Sequence, residues 1–95
     1  MNIKTIHTGD KLVSAITLFK SEIGTATAIQ LQENGVLKEH ITQTPALLLC
    51  IIGKATYEDE TKKTVELGEG DYLIIFPNIK HWLKGNTRSH LILIK

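Results

Sequence analysis

Short runs of apolar residues alternate with turn-forming residues along the whole chain. The turn signals recur at intervals of about eight to twelve residues, a spacing typical of all-β sandwiches and barrels. No stretch shows the 3.6-residue period of an amphipathic helix. The pattern therefore predicts a single all-β domain over residues 1–95, with no helix longer than a turn.

Three runs are apolar without a polar break. Ala46–Ile52 reads ALLLCII, which is too short for a stable helix and right for a central strand. Residues 72–76, YLIIF, predict a second strand covered on both faces, and residues 90–94, HLILI, also need cover on both faces. Each run therefore belongs inside a sheet or at an interface.

Three turn signals divide these strands. Asn34-Gly35 is the strongest short hairpin signal in the chain. Gly70-Asp71 predicts a turn before the YLIIF strand, and Pro77-Asn78 ends that strand because proline has no N–H to donate. His81 follows directly, so a titratable ring lies just beyond a forced bend.

The chain carries more apolar surface than one small barrel hides comfortably. Residues 11–20, KLVSAITLFK, place apolar side chains on both sides of a predicted strand. A domain of this size buries only about 60–65% of the surface that its unfolded chain exposes. We therefore expect a homodimer, with residues 11–20 in the subunit contact.

Charge and cysteine content exclude several classes of function. Eleven basic residues balance ten acidic ones, which gives no electrostatic reason to expect nucleic acid or an anionic membrane as a partner. No apolar stretch has the length of a membrane span or the form of a signal peptide, so we expect a cytoplasmic protein. Cys50 is the only cysteine, and its apolar neighbours predict a buried structural thiol.

Taken together, the turns, strands and histidines of this chain resemble the cupins over nearly its whole length. The first cupin motif is matched by His40 at its first histidine and Gly53 at its closing glycine, with Asn34-Gly35 near its opening glycine. The second motif is matched by Gly70, Asp71 and His81. The resemblance implies a double-stranded β-helix, a jelly-roll-like barrel of two facing antiparallel sheets.

The chain departs from the cupin pattern where that family holds a metal ion. Thr42 stands at the second histidine, Ala46 at the glutamate, and Phe76 at the usual proline of the second motif. The resemblance therefore implies a metal site, for Fe, Mn, Ni or Zn, in which only His40 and His81 remain as ligands. Two imidazoles plus water would hold such a metal weakly.

The same resemblance places a ligand pocket at the mouth of the barrel. Its interior would be aliphatic, with two imidazoles and a hydroxyl near the opening, as expected of a small-molecule pocket. If one strand continued straight through Pro45, alternation would put His40, Thr42, Leu48 and Cys50 on one side. The predicted ligand contacts are His40, Thr42, Leu48, Cys50, Phe76 and His81.

Three functions stay open from the sequence, which does not decide whether the protein is an enzyme. The favoured one is a small-molecule-binding protein with His40 and His81 as polar contacts. The second is a metal-dependent isomerase or oxygenase that uses an incomplete two-histidine site. The third is a structural dimer whose histidines are only hydrogen-bonded at the mouth, without a ligand. No nucleophile, base and oxyanion set is readable.

Overall fold

Nine antiparallel strands in two facing sheets make up the computed structural model, which describes all 95 residues. The first sheet has the order β1-β2-β9-β4-β7 and the second the order β3-β8-β5-β6. The all-β prediction is confirmed, and no helix that could span a membrane is present. The strands are β1 Val13–Ser21, β2 Gly24–Leu31, β3 Val36–His40, β4 Ala46–Ile52, β5 Ala55–Asp59, β6 Thr64–Leu67, β7 Tyr72–Ile75, β8 His81–Gly85 and β9 Ser89–Ile94.

The core lies between the two sheets and is built by alternation along each strand. In β4, Ala46, Leu48 and Cys50 are buried while the residues between them are partly exposed. Strand β9 supplies Leu91 and Leu93 from the same sheet. The facing sheet contributes Ala55, Tyr57, Leu67 and Leu83. Together the buried residues of the two sheets form one continuous cluster of thirteen.

Strand β4 occupies the position that its unbroken apolar run predicted. It pairs with β9 on one side and β7 on the other. Strand β9 in turn lies between β2 and β4, so both of its backbone edges are paired, although Ile94 on its outer face is exposed. Strands with two paired neighbours have no free backbone edge, and this is the environment that continuous apolar runs favour.

Strand β7 is not covered on both faces, contrary to the sequence prediction. Leu73 and Ile75 are buried, but Tyr72, Ile74 and Phe76 are exposed. The strand lies at the edge of the first sheet, and only the second sheet covers it, from one side. The apolar run correctly indicates that both faces of β7 are apolar. Within one chain, however, only one of these faces is covered.

The Asn34-Gly35 turn does not close a hairpin. It connects β2, which pairs with β1 and β9, to β3, which pairs with β8 in the other sheet. Asn34 has the left-handed φ of 65° that such turns need, and Gly35 is tightly packed against the carbonyl oxygen of Leu12. The local turn chemistry was therefore predicted correctly, while the pairing of its flanking strands was wrong.

The chain also changes sheets between β3 and β4, so the single straight strand through Pro45 does not form. Residues 41–45 cross from the second sheet to the first. The turn after β7 bonds to this crossing, because the Asn78 N–H donates to the Thr42 carbonyl at 2.8 Å. Asn78 has a φ of 65°, as its predicted turn position requires. These connections bring the end of β3 and the start of β8 together.

Candidate functional site at the histidine pair

Two histidines from different parts of the chain face each other at one end of the barrel. His40 ends β3 and His81 begins β8, and the two are paired across that ladder. Their Nε2 atoms are 3.1 Å apart, and their ring centroids are 4.3 Å apart with an interplanar angle of 64°. His81 is buried, whereas His40 is partly exposed. The structure therefore brings together the two imidazoles that the sequence singled out.

The other nitrogen of each ring fixes its protonation state. Nδ1 of His40 lies 3.0 Å from the carbonyl oxygen of Lys38, and Nδ1 of His81 lies 3.1 Å from that of Ile79. A carbonyl oxygen only accepts hydrogen bonds, so both Nδ1 atoms must carry a proton. Each neutral ring would then present a bare lone pair at Nε2, and the two lone pairs would face each other.

Such a pair needs a positive charge between its rings. One proton shared between the Nε2 atoms turns the contact into an N–H···N hydrogen bond and gives the pair a single positive charge. A second proton is disfavoured. Burial lowers the pKa of His81, and a charge on His40 lowers it further, although the bond to the Ile79 carbonyl acts in the other direction. The buried ring of His81 therefore acts as the acceptor of this hydrogen bond.

A buried tyrosine and a buried carboxylate lie behind the pair, and the sequence analysis missed the carboxylate. The ring of Tyr57 stacks on that of His81 at a centroid distance of 5.8 Å. The Tyr57 hydroxyl donates to Oδ2 of Asp59 at 2.9 Å, and Asp59 pairs with His81 across the β5–β8 ladder. Asp59 begins the polar run DETKK, which is typical of a solvated hairpin tip, but it is buried.

The signal that identifies Asp59 was present in the sequence. Ala55, Tyr57 and Asp59 alternate along β5 and all three are buried. Residues that alternate along a strand lie on one face, so the apolar Ala55 and Tyr57 indicate that Asp59 shares the inner face. It was overlooked because Asp59 is also the first residue of the polar run DETKK.

Asp59 is held ionised by its neighbours. Burial works against the charged form, but hydrogen bonds from Thr61, Tyr57 and Lys63 outweigh it and lower the pKa of the carboxyl. Oδ1 accepts from both the backbone N–H and the hydroxyl of Thr61. The same arrangement raises the pKa of the Tyr57 hydroxyl, mainly through burial and then through Asp59. The carboxylate is thus a fixed negative charge beside His81.

Thr42 is buried near this end of the barrel with an unsatisfied hydroxyl. Only 2% of its surface is exposed, and its Oγ1 has no hydrogen-bond partner. A buried hydroxyl without a partner costs about 1–3 kcal/mol. Thr42, which stands where the cupin motif has its second histidine, is therefore the one buried polar group of this region that lacks a protein partner.

The remaining predicted ligand contacts lie elsewhere. Leu48 is fully buried in the core cluster. The Cys50 thiol contacts the carbonyl oxygens of Ile52 and Gly53 at 3.7 and 3.6 Å, at the far end of β4. Burial raises its pKa, as do the charges of Asp71 and Glu69, which leaves it poor in thiolate.

Phe76, a predicted ligand contact, does not line the barrel interior, because 60% of its surface is exposed. It follows buried Ile75 in the alternation, so its side chain lies on the outer side of the sheet.

No preformed cavity opens onto the histidine pair. Three cavities occur in the structure, and neither His40 nor His81 lines any of them. The aliphatic interior that was predicted as a pocket is instead filled by the core cluster. Access to the pair is therefore from the side of His40, the partly exposed ring.

The donor atoms at this site do not fit a resident catalytic metal ion. No three histidine, cysteine, aspartate or glutamate side chains converge anywhere in the chain. Asp59, the nearest carboxylate along the ladder, is already bonded to Tyr57 and Thr61. Catalytic zinc and non-haem iron sites use three protein ligands. The pair supplies two.

Several solved structures have the same architecture as this chain. A cupin superfamily protein from Desulfitobacterium hafniense DCB-2 superposes with a TM-score of 0.86 at 17% identity, covering 98% of this chain and 84% of that protein. A cupin-like protein from Thermotoga maritima MSB8 gives a TM-score of 0.80 at 21% identity, covering 87% and 67%. An RmlC-like cupin from Desulfovibrio desulfuricans gives 0.86 at 10% identity, covering 98% and 90%.

The likeness is one of structure. No protein-family model matches the sequence, and no curated protein matches it. At these identities the shared property is the fold, which hosts many unrelated functions.

Proposed function

This chain has the cupin fold, and from that premise we propose that it binds a small organic molecule through His40 and His81. The proposal rests on one observation, the two Nε2 atoms that face each other at 3.1 Å while both Nδ1 atoms are tied to carbonyls. A hydroxyl group that separates the two rings can accept from one Nε2–H and donate to the other Nε2, and a carboxylate of the same molecule can accept from a protonated ring. We therefore favour hydroxy acids and carboxylic acids as the ligand class.

The surroundings of the pair support a site that is set up for recognition. The ring of Tyr57 stacks on that of His81, and a buried hydrogen bond to Asp59 fixes the Tyr57 hydroxyl. His40 is the ring that reaches solvent. The unsatisfied hydroxyl of Thr42 offers a further polar contact in the same region. A few fixed polar groups beside an aliphatic interior are the usual composition of a ligand site.

The test is a titration of uniformly ¹⁵N-labelled protein with a panel of hydroxy and carboxylic acids. Long-range ¹H–¹⁵N spectra report the protonation of each histidine nitrogen. We expect a binding acid to shift the Nε2 signals of His40 and His81 saturably and to raise the melting temperature. The His40→Ala variant should lose both effects, and His7→Ala, a histidine outside the pair, should keep them. If no acid moves these signals, or if binding survives in His40→Ala, the proposal is wrong.

A second candidate is a weakly held divalent metal ion at the pair, since two imidazoles are too few ligands for a resident catalytic ion. Histidines that bind metals almost always donate their second ring N–H to a backbone carbonyl or a carboxylate, and both rings do so here. Water or substrate would have to complete the coordination.

Elemental analysis separates the two candidates. Stoichiometric Fe, Mn, Ni or Zn in protein purified without chelator, lost in the His40→Ala/His81→Ala double variant, would favour the metal. A metal-free protein whose melting temperature is unchanged by each of the four ions would exclude the metal candidate. Unchanged melting temperatures with both metals and organic acids would favour the third reading, a structural dimer without a ligand.

We also propose that a second copy of the chain covers the outer face of the first sheet. Five large apolar side chains of this sheet are exposed, mostly on that face: Phe19, Tyr72, Ile74, Phe76 and Ile94. Their exposed parts sum to about 500 Å², taking roughly 150–250 Å² for a whole aromatic side chain. Two such faces reach the roughly 1,000 Å² that a specific interface needs.

The oligomeric state tests this interface. We expect a dimer by light scattering after gel filtration, and a monomer for Ile74→Lys. Val36→Lys is the matched control, because Val36 is 46% exposed against 45% for Ile74 but lies in the other sheet. A monomeric wild type, or a dimer that both variants leave intact, would show that the face is not the interface.

A further inference from the structure

A row of polar side chains interrupts the apolar outer face of the first sheet at one end. Ser14 of β1 pairs with Gln30 of β2, and Gln30 pairs with His90 of β9. Paired residues point to the same face of a sheet. Gln30 and His90 are both buried, although their row lies outside the barrel core. Something other than the facing sheet must therefore cover them.

The N-terminal segment provides this cover. Nδ1 of His7 hydrogen-bonds to the Ser14 hydroxyl oxygen at 2.7 Å. The ring of His7 lies 6.0 Å from that of His90, at an interplanar angle of 48°. Two histidines thus meet on the outer face, and they are separate from the pair that joins β3 and β8.

A cavity with an approximate volume of 280 Å³ opens beside this second histidine cluster. Its lining consists of Lys4, Ile52, Arg88 and His90, and it contains no acidic residue. Two of the four side chains carry a permanent positive charge. Arg88 also reaches Gln30, whose amide oxygen its Nη2 approaches at 3.5 Å. The cavity is therefore positively charged and has an apolar wall at Ile52.

Both histidines of the cluster have a buried nitrogen without a partner. Nδ1 of His90 and Nε2 of His7 make no hydrogen bond, and His90 is only 4% exposed. Buried polar atoms in folded proteins are usually bonded, so two of them beside one cationic cavity call for an explanation. A group that carries negative charge and accepts hydrogen bonds would pair with Lys4 and Arg88 and offer an acceptor to His90, the buried polar residue of the lining.

We propose that this cavity binds a small oxyanion, with Lys4 and Arg88 as charged contacts and His90 as a buried hydrogen-bond donor. The guanidinium of Arg88 matches the geometry of a phosphate or carboxylate group. Lys4 comes from the N-terminal segment, so binding would also hold that segment against the sheet. Inorganic phosphate and organic carboxylates share this chemistry, and the experiment distinguishes them.

The proposal makes binding dependent on pH. Burial lowers the pKa of His90, and the charges that act on it, His7, Arg88 and Lys4, all lower it further. The other residues of the row, Ser14 and Gln30, do not titrate. An anion in the cavity would offset the positive charges of Arg88 and Lys4 and favour protonation of His90. Affinity for acetate, whose charge does not change in this range, should therefore rise as the pH falls from 8 to 6.

The experiment is a titration of the full chain with inorganic phosphate and, separately, with acetate and citrate, followed by the ring signals of His7 and His90. We expect saturable shifts of these two rings and not of His40 or His81. The variants Arg88→Gln and Lys4→Gln should each weaken binding about tenfold, as the loss of one charge-assisted contact does. Both residues are exposed, so both variants should fold.

Lys20→Gln, which removes an exposed lysine away from the cavity, is the control and should bind as the wild type does. Tighter binding of phosphate than of the carboxylates would identify a phosphate site, and the reverse order an organic acid site. The proposal is overturned if the His7 and His90 signals do not saturate with any of the three anions. It is also overturned if all three variants bind equally, because the shifts would then report ionic strength alone.

Discussion

The hydrogen bond between Tyr57 and Asp59 allows a quantitative test of how the histidine pair is supported. In Asp59→Ala, the carboxylate that accepts the Tyr57 hydroxyl is lost, together with its bonds to Thr61. Thr61 is exposed, so water replaces its partner at small cost. Tyr57 is buried, and its hydroxyl would be left unsatisfied, which costs about 1–3 kcal/mol. We expect a total loss of about 2–4 kcal/mol in the free energy of unfolding.

A double-mutant cycle isolates this effect. Tyr57→Phe alone should cost about 1 kcal/mol, because it removes one hydrogen bond to a carboxylate that keeps its other donors. In the Asp59→Ala background the same change should cost nothing or be stabilising, since it deletes the unsatisfied hydroxyl. The expected coupling energy between the two positions is about 1–2 kcal/mol.

Urea unfolding of the four proteins, followed by far-ultraviolet circular dichroism at one protein concentration, gives the required free energies. Asp10→Ala, at an exposed aspartate in the N-terminal segment, controls for the loss of a carboxylate as such. Phenylalanine keeps the ring that stacks on His81, so the cycle reports on the hydroxyl alone. Additive changes within about 0.5 kcal/mol would refute the reasoning, because they would mean that the bond does not contribute to stability.

Two further predictions concern stability. Burial lowers the pKa of His7, His81 and His90 in the folded state, so the unfolded chain binds more protons near pH 6. The free energy of unfolding should therefore be highest above pH ~7 and fall as the pH drops through ~6.5, by up to ~1.4 kcal/mol per pH unit for each histidine. A free energy of unfolding that stays constant between pH 7 and 5 in urea titrations would contradict this. Gly53→Ala should destabilise more than Gly70→Ala, because both have a positive φ but only at Gly53 would the added Cβ meet a carbonyl oxygen, that of Arg88, at 2.2 Å; equal urea midpoints would show that the backbone relaxes freely there.

Local sequence patterns predicted the elements of this protein well because they depend on local chemistry. Alternation and apolar runs placed β4 and β9 inside the first sheet. The turn chemistry of Asn78 and Gly70 appears in their positive φ angles. The motif spacing identified His40 and His81, which the structure brings into contact.

The same patterns failed where the answer depended on distant parts of the chain. The Asn34-Gly35 turn links two sheets instead of closing a hairpin, because the partner of each flanking strand lies far away in sequence. Phe76 is outside the barrel because β7 is an edge strand with only one covered face. The burial of Asp59 was overlooked because the polar run DETKK, which it begins, masked the alternation of β5, and its cross-strand partner His81 lies far away in sequence.

By itself, then, the sequence determined the class of fold, the strands, most of their turns and the two histidines that distinguish this chain. Only the tertiary structure decided how those histidines are protonated, since the carbonyls that hold their Nδ1 atoms acquire their positions from the two strands' packing. It also decided that a polar row and a positively charged cavity lie on the outer face of the first sheet. The physical reason is range: side-chain alternation and turn geometry act over a few residues, whereas hydrogen bonding and electrostatics at a site depend on groups that only the folded chain brings together.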